Sequence, residues 1–161
     1  MFFTQTIVIL ALSLGGLLRA LGILPALLLG IRNMLTSSGR AIFAAAMAAL
    51  SINVLIGEQY LSILLSGTAF RPTFERLNLH PKNLSRTIED AGTVINPLVP
   101  WSVCGVFISQ ALGVPVLEYL PYAFFCYLSL LLTILFGFTG ITISCKDGSS
   151  IHKQPKVQMA N

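Results

Sequence analysis

The chain has 161 residues, 55% of them hydrophobic and only 10% charged, with a mean hydropathy of +0.81 and a formal net charge of +4. A soluble domain carries roughly 25% charged residues, and so short a chain has too much surface for its volume to hide this much apolar area from water. A soluble globular domain is excluded. The basic balance does not indicate nucleic acid either, because the Lys and Arg residues sit between apolar runs and build no basic helix face.

Six stretches carry no charge: 2–18, 20–31, 41–57, 59–70, 91–117 and 119–145. A spanning helix needs about 20 apolar residues at 1.5 Å rise. The last two stretches pass this test outright, and the others pass in pairs if Arg19 and Glu58 are tolerated within a span. The first unit is therefore 2–31. Its length of about 45 Å exceeds a ~30 Å hydrocarbon core, so it is expected to tilt, or to break among Gly15, Gly16, Gly22 and Pro25. Its opening, "MFFTQTIVIL", has neither the basic region nor the cleavage site of a signal peptide. Arg19 reads as a snorkelling residue.

A polar loop at 32–40 leads to a second unit over 41–65, with Glu58 close to its end. The most polar interior segment, 67–89, holds Arg71, Arg76, Lys82 and Arg86. A third unit over 90–112, a short turn and a fourth unit over 119–144 follow. The pattern predicts an all-α integral membrane protein of about four transmembrane helices, in a region 1–145 followed by a basic polar tail, 146–161. Four spans place Arg71, Arg76, Lys82, Arg86, Lys146, Lys153 and Lys156 on one side, against Arg32 and Arg40 on the other. The positive-inside rule then puts the N-terminus, the 67–89 segment and the tail in the cytoplasm. A re-entrant 59–70 segment would change that parity.

The third unit carries the chemistry. In "SRTIEDAGTVINPLVPW" (85–101) two acids, Glu89 and Asp90, lead into an apolar segment that Pro97 and Pro100 interrupt. If the helix starts near Asp90, the prolines lie about 10 and 15 Å along it, approaching the midplane. Each proline removes a hydrogen bond to the carbonyl four residues back, here those of Thr93 and Asn96. Freed backbone at that depth is tolerated only in protein or around a wet cavity, and secondary transporters use such broken helices to coordinate Na+ or H+. Asp90, Thr93 and Pro97 share a helix face, an oxygen-rich arrangement suited to a hard monovalent cation. A carboxylate partly removed from water also holds a proton more readily. The alternative is that Glu89 and Asp90 only cap a helix N-terminus. Glu58, in "SINVLIGEQYLSILLSG", is either an ionisable group within a span or a residue emerging at the interface.

Cys104, Cys126 and Cys145 follow no zinc or disulfide spacing and read as small hydrophobes. His80 and His152 have no metal-spaced partners, and no nucleophile or phosphate-loop motif is present. The sequence therefore predicts no enzyme, no cofactor and no resident metal.

The segments "GGLLRALG" (15–22), "GEQYLSILLSG" (57–67), "LSRTIEDAGTVINPLVPWSVCG" (84–105), "LGVP" (112–115) and "YLPYAFF" (119–125) occur in this order. Together they resemble the C-terminal part of the NhaC family of sodium/proton antiporters, which includes exchangers that couple malate or lactate to Na+ and H+. The resemblance implies transport of Na+ and H+, with an organic acid as a further cargo, across a bacterial cytoplasmic membrane. It also implies one half of a fold built from two inverted repeats with broken helices. It carries over to Glu58, Asp90, Thr93, Asn96 and Pro97 as positions within matching motifs, beside Glu89 as a further candidate acid and Pro100 as the second helix break read from the residues themselves. Family members are much longer, which implies that the missing N-terminal part is a partner and that this is a split or truncated antiporter. The rival expectation is a small membrane protein that transports nothing by itself, a remnant or an accessory subunit.

Overall fold

The computed structural model describes residues 37–145 continuously, together with isolated positions between Thr6 and Gly22. Most of the first unit, with Arg19, the start of the following loop, with Arg32, and the tail with Lys146, His152, Lys153 and Lys156, lie outside the described residues. Among the described residues the fold is helical: α1 (Ser38–Ile56), α2 (Gln59–Arg76), α3 (Pro81–Ile88), α4 (Val103–Leu112), α5 (Val116–Tyr119) and α6 (Phe124–Thr139). A π-helical turn, Glu89–Thr93, and a 3₁₀ turn, Asn96–Leu98, join α3 to α4.

The expected second unit is not one span. It is a hairpin. Gly57, at φ 74°, ends α1 in the left-handed conformation that glycine adopts without steric cost. Glu58 then starts α2, which doubles back along α1 so that the Ser62 hydroxyl donates to the Ala49 carbonyl at 2.6 Å. The buried face of α1 consists largely of small residues, Ala41, Ala45, Ala46, Ala48 and Ala49. Small side chains let membrane helices approach closely, which is how they pack when lipid is as apolar as they are. Against α1 also lies α6, where a Cβ on Gly137 would stand 2.8 Å from Ile42.

The expected polar loop over 67–89 is also helical for most of its length. α2 runs on to Arg76, burying Phe70 and Phe74, and α3 restarts at Pro81 with His80 as its cap. Proline is favoured at this first helical position, where its missing N–H costs nothing.

α1 is the described helix long and apolar enough to cross a membrane by itself. The segments Pro81–Leu98 and Val103–Leu112, bent by 44°, reach that length together, as do Val116–Tyr122 and Phe124–Thr139, bent by 57°. The end of the described chain returns to the start of α3: Leu79 and Cys145 form a β-bridge, and Asn83 exchanges two hydrogen bonds with the Ser144 backbone. The start of α1 lies at this same end, with Gly39 packed against Gly137 and Phe138. Arg40, Arg71, Arg76, Lys82 and Arg86 therefore gather at one end of the molecule. The four-span parity separates Arg40 from the other four; the α1–α2 hairpin brings them together, because a chain that doubles back returns to the side it left.

Candidate functional site

α3 passes into the π turn without a new helix start, so the helix does not begin near Asp90. Neither acid caps an N-terminus: α3 has been helical since Pro81, and Glu89 closes its C-terminal end. The capping alternative is overturned. In the π turn the Val94 N–H reaches the Glu89 carbonyl at 3.1 Å, five residues back. Such single π turns insert one residue into a helix and so re-aim the side chains on either side of it.

Asp90 is re-aimed toward α6. Ser129 donates to Oδ1 at 2.6 Å, and Thr133, one helical turn further on, donates to Oδ2. Thr133 is buried and Asp90 half-buried. Sequence reasoning missed both hydroxyl partners. The available signal was a pair of hydroxyl residues four apart in an otherwise apolar helix, hence on one face. Arg86, one turn before Asp90, holds its Nε 3.9 Å from Oδ2, while its guanidinium also lies 5.3 Å from the centre of the Phe136 ring and reaches Thr142 at 3.3 Å. A cavity of about 20 Å³ lies beside it, lined by Asn83, Arg86, Thr133 and Gly137 among others. That is enough for roughly one water molecule or one ion.

Asn96 faces the opposite neighbour. The α1 side chain of Asn53 donates through Nδ2 to the Gly92 carbonyl at 2.6 Å and accepts through Oδ1 from Asn96 Nδ2 at 2.5 Å. Both asparagines are fully buried. The other amide atom, Asn96 Oδ1, is buried without a partner among the described residues, as is the Thr93 hydroxyl oxygen. Buried polar atoms in native proteins are almost always bonded, and each one left unpaired costs about 1–3 kcal/mol. The structure thus divides the predicted ion residues into two neighbouring groups: Asp90 with α6 hydroxyls, and Asn96 with α1.

The proline break is present, but its wiring differs from expectation. The Asn96 carbonyl is not free. It accepts from the Val99 N–H at 3.1 Å and from the Ser102 hydroxyl at 2.6 Å, and that hydroxyl in turn accepts from the Gly105 N–H at 2.8 Å as the cap of α4. Tyr119 donates to the Pro97 carbonyl at 2.6 Å. The break is also pinned to the hairpin tip: Trp101 Nε1 donates to the Val54 carbonyl at 2.7 Å and the Val103 N–H to the Gly57 carbonyl at 3.2 Å. Glu58 lies at this tip, half-buried, its carboxylate accepting from the Leu61 N–H at 2.8 Å as the N-cap of α2. The structure does not bring Glu58 to Asp90, and Glu89 is exposed.

The sequence matches the Na+/H+ antiporter family over residues 1–141. It is 47% identical to the Na+/H+ antiporter NhaC of Alkalihalophilus pseudofirmus over 96% of this chain, and 43% identical to that of Bacillus subtilis over 86%. It is also 44% identical to the arginine/ornithine antiporter ArcD of Halobacterium salinarum over 88% of its length. The chain spans about a third of these relatives, 33%, 30% and 29% of their lengths respectively. No solved structure matches it.

Proposed function

Since the chain belongs to the Na+/H+ antiporter family, we propose that it supplies the ion-handling part of a secondary antiporter that exchanges Na+ for H+ across the bacterial cytoplasmic membrane. The observation that carries this reading is the Asp90 carboxylate, set in a π turn at a helix break and held by the Ser129 and Thr133 hydroxyls. An ionisable side chain within a span is costly and is retained for function. In this proposal Asp90 takes either a proton or Na+ as access alternates. Thr93 and Asn96 offer buried, uncharged oxygens to the same ion path. Pro97 and Pro100 maintain the break that exposes it. Alternating access in such carriers moves one repeat against another around a midplane site, and the remaining two thirds of the relatives' length is the proposed source of the second.

Na+ and H+ are proposed as cargo because the two NhaC relatives are named Na+/H+ antiporters, and an organic acid is a further proposed cargo because another relative, 31% identical, is named a malate-2H+/Na+-lactate antiporter. Glu58 is assigned to the hairpin turn rather than to the ion, and Glu89 to the surface. The end that carries Arg40, Arg71, Arg76, Lys82 and Arg86 is placed in the cytoplasm by the positive-inside rule. An accessory or remnant protein is the less favoured reading, because it gives no reason for two polar clusters inside so apolar a chain.

The test is a chimera in which this chain replaces the matching third of the Alkalihalophilus antiporter, assayed in everted vesicles by Na+-driven release of an imposed pH gradient. Asp90→Asn abolishes exchange with insertion intact, whereas Glu58→Gln, which keeps an oxygen for the Leu61 N–H, retains it. Normal exchange by the Asp90→Asn variant sinks the assignment.

A further inference from the structure

Asn53 has no role in the exchange site just described, yet it is fully buried and controls what Asn96 presents. The control follows from donors and acceptors alone. The Gly92 carbonyl can only accept, so the Asn53 atom facing it at 2.6 Å must be the amide nitrogen. The other Asn53 atom is then an oxygen, and it too can only accept. Asn96, 2.5 Å away, must therefore turn its own nitrogen toward Asn53. That leaves Asn96 Oδ1 on the side without a partner among the described residues. The backbone of the π turn thus dictates, through two amides in series, that an oxygen rather than an N–H donor is offered. The Thr93 hydroxyl, three residues before Asn96, is the other buried oxygen of this segment without a partner.

We infer that Asn53 is a positioning residue that locks Asn96 with its side-chain oxygen available as an uncharged ligand to a monovalent cation, next to but separate from the Asp90 carboxylate. This inference rests on the exchange reading of the site. An amide nitrogen in that place would repel a cation, so a freely flipping Asn96 would offer a ligand only part of the time. The relay also ties the ligand to the hairpin, since Asn53 belongs to α1 while Gly92 and Asn96 belong to the broken helix. Any shift of α1 against the π turn would release the lock.

The test is a double-mutant cycle in the same chimera, reading the apparent KM for Na+ separately from the maximal rate. KM is independent of how much protein inserts, so reduced expression does not obscure it. Asn53→Ala and Asn96→Ala are each expected to raise KM about five- to tenfold, with the rate at saturating Na+ largely kept. The Asn53→Ala/Asn96→Ala pair should raise it no further than either change alone, because in this inference Asn53 bears on Na+ affinity through Asn96. Asn53→Ser, which removes less volume, should fall between wild type and Asn53→Ala. An unchanged KM in Asn53→Ala overturns the inference, and so does a double variant whose two effects multiply. Loss of transport in both Asn53 variants with insertion intact also overturns it, since a packing defect produces that result. Asp90→Asn separates the two proposals: normal exchange there removes the carboxylate's role, while the Asn53–Asn96 coupling is still read in KM.

Discussion

Gly105→Ala tests whether the turn between the broken helices is as tight as its hydrogen bonds require. On helix propensity alone the change should help, since alanine is favoured over glycine inside a helix by about 1 kcal/mol. The tertiary contacts oppose it. A Cβ at position 105 would sit 2.2 Å from the Val99 carbonyl oxygen and 2.9 Å from the Ser102 hydroxyl. The first of these is backbone, held in the turn by the Ser102 N–H at 3.0 Å, so it cannot swing aside as a side-chain tip would. Overpacking of this kind costs about 1–3 kcal/mol, and displacing the Ser102 cap costs about 0.5–2 more. Set against the propensity gain, the expected loss is about 0.5–4 kcal/mol, or roughly 1–16 °C in Tm for a chain of this size. Gly113→Ala is the control: unlike Gly105 it is left-handed, with a φ of 70°, and nothing lies within 4 Å of its added Cβ, so strain of about 1–2 kcal/mol acts alone. Thermal unfolding of purified protein in detergent, followed by loss of monodispersity, gives the comparison. A Gly105→Ala protein as stable as wild type, or more so, would refute the close approach of Val99 to α4 and with it the bridging role of Ser102.

Two further predictions concern the break and the hairpin. Replacing Pro97 and Pro100 together by alanine should abolish Na+-dependent exchange in the chimera while insertion persists; wild-type exchange would reduce the break to a packing feature. Single cysteines at Ser37 and Asn78, with Cys104, Cys126 and Cys145 replaced, should both be shielded from impermeant thiol reagents in intact cells, because the α1–α2 hairpin returns the chain to its starting end. Labelling of Ser37 with protection of Asn78 would instead require a single span across this region.

Composition and run lengths already determined the solvent, the helical class and the helix break within the 85–101 stretch. These depend on local properties: few charges, apolar runs long enough for a bilayer, and prolines that cannot donate a backbone hydrogen bond wherever they fall. Asp90, Thr93 and Asn96 stood out as candidates for the same reason, as polar groups in the wrong solvent. The hairpin was not. Gly57 and Glu58 read equally well as an interruption within one span or as a turn between two helices, and only the packing of α2 onto the alanine face of α1 selects the turn. The partners of the site were hidden in the same way. Ser129 and Thr133 lie 39 and 43 residues from Asp90, and Asn53 lies 43 from Asn96. No local pattern links positions so far apart, because hydrogen bonds between helices depend on which faces meet. Tertiary structure alone therefore decided that Asp90 looks toward α6 and Asn96 toward α1, and that the carbonyl expected to be free is already occupied by Ser102.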